Sequence, residues 1–133
     1  MLLLCGCTGE KTTPAISADT YFNAVYTTGD FSYNCTVKRQ KGTVFVTVNS
    51  TNAAGLTISC DGRSIVFTKG AMIKRVNKEN VDSTNPALLL WEIFNAIDNG
   101  SSKCPLGNFS AEYENGTLKR ITVDEITVEA VQQ

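Results

Sequence analysis

Between Phe31 and Val131 most of the runs between turns and loops alternate apolar and polar residues with a period of two, and one run takes a helical period instead. Successive side chains of a strand point to opposite faces, so alternation demands a sheet with one apolar side and one wetted side. In Phe31–Gln40 the apolar positions are Phe31, Tyr33, Cys35 and Val37. In 43–49 they are Val44, Val46 and Val48, and in 56–60 Leu56, Ile58 and Cys60. Strands are also expected at Ser64–Lys69, 71–76, 108–114, 118–123 and Ile126–Val131, with a break or bulge at Asp124-Glu125. Gly42, Asp61-Gly62, Gly70 and Asn115-Gly116 lie between these runs, and Asp-Gly and Asn-Gly are hairpin signals.

The single interruption runs from Pro86 to Asp98 and carries Leu88, Leu89, Leu90, Trp91, Ile93, Phe94 and Ile97. Its polar positions, Glu92, Asn95, Asp98 and Asn99, fall on one narrow helical stripe, so this helix is expected to be mostly buried. A second helix is expected at 17–28. Ser17 serves there as N-cap, Ala18, Tyr21, Phe22, Val25 and Tyr26 recur at helical spacing, and Gly29 closes it. The order predicts an α+β domain over 17–133: a curved antiparallel sheet with an N-terminal helix and a buried lid helix on its concave face.

The segment Leu4-Cys5-Gly6-Cys7 resembles a lipobox, the site at which lipoprotein signal peptides are cut before a cysteine. A polar run, Thr8 to Thr13, and Pro14 follow. Residues 1–7 are therefore read as the remnant of a lipoprotein signal peptide, with only Met1 to Leu4 of its apolar stretch, and 8–16 as a tether. Cys7 is the expected attachment point of a diacylglyceryl or palmitate-type lipid. Each buried methylene contributes about 0.8 kcal/mol, so two acyl chains hold a protein firmly to a membrane. The expected location is the extracytoplasmic face of the cell membrane.

With 42% apolar and 19% charged residues and a net charge of −1, the chain suits one folded domain and has no general attraction for nucleic acid. It contains no histidine, which removes the usual neutral-pH acid/base and every Ser/His or Cys/His pairing. No enzyme, cofactor or metal site is expected. Asp124 and Glu125 make a weak catalytic pair, and the five Asn-x-Ser/Thr triplets read as polar surface. Lys38, Arg39 and Lys41 form a basic patch at a turn, either an anchor for anionic headgroups or a solvated turn. Cys35 and Cys60 are expected to face inward on strands separated by a third, about 9–10 Å apart, beyond the roughly 7 Å that a disulfide spans. Cys104 is then a candidate partner for one of them, or all three are buried thiols.

The stretch Asn52 to Gly62, the strand from Ile65 to Gly70 and the helix from Pro86 to Ile97 are similar to a pattern in small Firmicutes lipoproteins of the LolA-like (LolA/LppX) superfamily. The resemblance implies a half β-barrel whose concave side is covered by helices, with lipid or acyl chains held between. Phe31, Tyr33, Val37, Val46, Ile58, Phe67, Leu90, Trp91 and Phe94 are the candidate cavity residues, or else the lining of a filled core. A lipid-anchored chain cannot shuttle freely. Two functions are therefore expected: a tethered module that binds an apolar or acyl ligand or a lipoprotein, or an accessory lipoprotein that scaffolds a partner protein without a ligand.

Overall fold

The computed structural model describes residues 19–131. The lipobox with Cys7, the tether and Ser17 lie outside the described residues. The described chain folds into one ten-stranded sheet and one α-helix.

The strands are β1 (Thr20–Thr28), β2 (Phe31–Gln40), β3 (Thr43–Val48), β4 (Thr57–Cys60), β5 (Ser64–Lys69), β6 (Met72–Asn77), β7 (Lys103–Cys104), β8 (Gly107–Glu114), β9 (Thr117–Val123) and β10 (Ile126–Val131). A 3₁₀ turn (Lys78–Asn80) and helix α1 (Pro86–Asp98) separate β6 from β7. The spatial order is β6-β5-β4-β3-β2-β1-β10-β9-β8-β7. Every neighbouring pair is antiparallel. Hairpins make every connection except one, which runs from β6 through α1 to β7 at the opposite edge. Helix α1 lies against β3, β4 and the far edge strand β7. One helix touches both arms only if the sheet curves around it, so the sheet is curved and unclosed.

The expected N-terminal helix is a strand. Tyr21, Phe22, Val25 and Tyr26 fit helical spacing, but Phe22, Ala24 and Tyr26 also alternate with Tyr21, Asn23 and Val25. Ala24 and Tyr26 are 1% and 2% exposed, while Tyr21 is 69% exposed. The run Thr20-Tyr21-Phe22-Asn23-Ala24-Val25-Tyr26-Thr27-Thr28 is mostly β-branched and aromatic, residues that favour a pleated surface. Pairing with β2 on one side and β10 on the other overrides the short helical period. The remaining expectations correspond to observed elements to within a residue or so, apart from β7, which lies in what reads as loop.

The ends of α1 follow from local chemistry. Asn85 caps it by accepting from the N–H groups of Ala87 and Leu88 at 3.1 and 3.2 Å, and Pro86 fits the first turn, which needs no donor. Gly100, at φ +75°, takes the chain out of the helix. The buried stripe Ala87-Leu88-Leu89-Leu90-Ile93-Phe94 fills the concave side. Trp91 closes the margin. Its Nε1 donates to the Gly42 carbonyl at 3.0 Å, and its ring crowds Gly62, where an added Cβ would sit 2.6 Å from it. Gly62 thus serves both its turn, at φ +98°, and this close approach.

Cys35, Cys60 and Cys104 are free and buried. Burial pushes the Cys35 thiol from its ordinary 9.0 to about 11, and Cys60, Tyr26 and Tyr33 shift upward mainly for the same reason. The unfolded chain therefore releases these protons first, and stability falls as pH rises from about 9 towards 11. For one such group the slope is about 1.4 kcal/mol per pH unit. Urea midpoints measured from pH 8 to 10.5 should fall with this trend, and less steeply in Cys35→Val; a flat profile would contradict it.

Candidate functional site

The parity of β2 decides the site. Cys35 and Val37 point inward, so Arg39, two residues on, does too. Only 6% of Arg39 is exposed, and it is the one buried charged residue among those described. The expected basic patch of Lys38, Arg39 and Lys41 is thereby split. Lys38 lies on the outer face with its ammonium 5.1 Å from the Phe45 ring, and Lys41 stands in the turn. Arg39 enters the interior.

Inside, the Arg39 Nη2 donates to the Asp98 carboxylate at 2.6 Å. Its guanidinium carbon lies 5.7 Å from the Phe94 ring centroid. This joins the last turn of α1 to the sheet. The geometry is one-handed, because Nη1 is buried and has no hydrogen-bond partner among the described residues. The Tyr113 hydroxyl, on the inner face of β8, is buried without a partner as well. Its pKa is raised, first by burial and then by the Asp98 charge, which places the phenol and the carboxylate in one electrostatic neighbourhood. Leaving a buried donor unpaired costs about 1–3 kcal/mol. Two such donors beside one carboxylate make this end of the interior short of acceptors.

The surroundings are apolar and only partly covered. Phe22 pairs with Val37 across β1 and β2, Ala111 with Ile121 across β8 and β9, and Tyr113 with Leu118. Phe22, Ile97, Ala111 and Leu118 are partly buried against the core. They belong to β1, α1, β8 and β9.

The candidate cavity residues occupy two environments. Val37, Val46, Ile58, Leu90 and Phe94 are buried in one hydrophobic cluster, and Tyr33, Phe67 and Trp91 pack against its margin. Phe31 stands apart, 54% exposed at the β1–β2 hairpin. Its ring is 5.8 Å from Tyr33, which stacks on Tyr26 at 5.2 Å. The Tyr26 hydroxyl donates to the Thr84 carbonyl at 2.8 Å, which ties this aromatic row to the loop before α1.

Arg39, Asp98 and Tyr113 are not identified as a site by sequence reasoning. Two signals point to them. Arg39 continues the inward parity of Cys35 and Val37, and Asp98 ends the polar stripe of an otherwise buried helix. Among the described residues, no cluster of Cys, Asp or Glu is arranged to hold a metal ion, and no helix is long and apolar enough to cross a membrane. No protein family, curated protein or solved structure matches the chain.

The ion pair predicts an asymmetry. Asp98→Ala leaves a buried guanidinium without its carboxylate and should lower stability by about 3 kcal/mol or more. Arg39→Met keeps apolar volume and leaves a carboxylate already 34% exposed to solvent, so the cost should be below about 1.5 kcal/mol. Urea unfolding of both variants checks the order; a costlier Arg39→Met would contradict it.

Proposed function

We propose that this chain is a membrane-tethered, extracytoplasmic binding module that takes an amphiphile, an acyl tail with an anionic head, against the concave side of its sheet. The observation that carries the reading is the pair of buried donors without acceptors, Arg39 Nη1 and Tyr113 Oη, at one end of an apolar interior. An anionic head, carboxylate or phosphate, supplies the missing acceptors, and charge-assisted hydrogen bonds of this kind are the strong ones. The tail runs between α1 and the arm of β8, β9, β10 and β1, along the partly covered Phe22, Ile97 and Leu118. A curved, open sheet with a helix on its concave side supports the LolA-like half-barrel reading. The module binds; it does not catalyse.

The tether sets the range. A lipid on Cys7 keeps the domain within reach of one membrane surface, so it captures or presents its ligand locally. Cys7→Ser should move the chain from the membrane fraction to the soluble extracytoplasmic fraction and abolish labelling with an alkyne-tagged fatty acid. Retention in the membrane fraction without label would refute the anchor.

The second reading, an accessory lipoprotein with a filled core and a protein partner, is favoured by the full burial of Val37, Val46, Leu90 and Phe94. Titration calorimetry of the Cys7→Ser chain separates the two. Palmitate should bind saturably and at least tenfold tighter than palmitamide, a difference of about 1.4 kcal/mol. Arg39→Met should remove that preference while retaining tail binding. Absence of saturable binding by either compound would overturn the amphiphile reading and leave the filled-core one.

A further inference from the structure

The free edge of the sheet at β6 carries a second feature, independent of the interior. Among the described residues, strand β6 pairs with β5 alone and ends the ten-stranded order. Its six residues leave one row of backbone N–H and C=O groups unpaired by any strand, a template for another chain. The opposite edge, β7, is two residues long and offers little.

The side chains on β6 are unusual for an unused edge. Met72 and Ile73 are 77% and 72% exposed, the two most exposed large apolar residues among those described. Strand alternation places them on opposite faces. Val76 pairs with the buried Ile65, so Met72 and Lys74 share the inner face, and Ile73 and Arg75 share the outer one. A strand added here would meet Met72, Lys74 and the half-buried Val76 on one face and Ile73 and Arg75 on the other. Lys69 and Lys78 flank the strand at its two ends. Among the described residues, neither Lys74 nor Arg75 forms an ion pair.

Charge selects the occupant. Two copies joined edge to edge through β6 would bring Lys74 and Arg75 of one chain against those of the other, and like charges across strands are destabilising. A basic partner is disfavoured for the same reason. An extended segment in which two adjacent apolar residues are followed by two adjacent acidic ones satisfies the backbone, covers Met72 and Ile73 on their opposite faces, and neutralises Lys74 and Arg75 on theirs. We propose that β6 is a docking edge for an extended acidic segment of another protein, bound by strand addition.

A fluorescein-labelled peptide of about eight residues, repeating two valines and two glutamates, is the probe, and its counterpart with lysine in place of glutamate is the control. The full chain carrying Cys7→Ser should bind the acidic peptide at least tenfold tighter, and binding should weaken as salt rises. Amide shifts on titration should centre on residues 72–77. Lys74→Glu with Arg75→Glu, both exposed and so compatible with folding, should reverse the preference towards the basic peptide. Four results would overturn the proposal: no binding, equal binding of both peptides, a preference unchanged by charge reversal, or shifts away from β6. Concentration-dependent dimerisation that blocks peptide binding would also overturn it, by naming a second copy as the occupant.

Discussion

The structure depends on one pairing between distant parts of the chain. Strand β1 lies beside β10, in register from Thr28 opposite Ile126 to Asn23 opposite Val131. Without it the chain is two separate meanders, β1 to β6 and β7 to β10. With it, both become arms of one sheet. Loop closure over so long a separation is entropically expensive and slows folding. The inward residues Ala24, Tyr26, Ile126 and Val128 offset it by burying almost completely. Helix α1 then crosses between the arms, and its apolar stripe supplies the layer that neither arm supplies alone.

That crossing explains why the interior contains a charge. The last turn of α1 arrives beside the end of β2, where inward parity puts Arg39 rather than an aliphatic residue. Asp98 meets it at 2.6 Å. An ion pair of this kind contributes little net stability over apolar residues of similar volume, because desolvation offsets most of the attraction. Its unpaired Nη1 and the nearby unpaired Tyr113 hydroxyl make it weaker still as a purely structural device. In the proposed reading, an anionic headgroup would supply acceptors to both donors.

Much of the fold is legible in the residues, for physical reasons. Strands β2 to β5 and β8 to β10 announce themselves because each has one wetted face, so composition alternates with burial. Asn115-Gly116 marks its hairpin because both residues need positive φ, and they adopt +56° and +81°. Helix α1 is legible from Pro86 and its apolar stripe, whereas its Asn85 cap is not read from the sequence. Strand β1 is not, because a short run of Tyr, Phe, Val and Tyr fits both periods and only long-range pairing decides between them. The site is less legible than the fold. Arg39 beside Lys38 and Lys41 reads as one basic patch until strand parity separates them. The orphaned donors depend on three elements distant in sequence, β2, α1 and β8, meeting at one end of the sheet.

In the proposed reading the Arg39 guanidinium binds an anionic head. Side-chain NMR of the 15N-labelled guanidinium, followed as palmitate is added to the Cys7→Ser chain, tests it most directly. The Arg39 Nε and Nη resonances should shift with saturation, and palmitamide should leave them in place. Unchanged Arg39 resonances while palmitate binds elsewhere on the protein would contradict it.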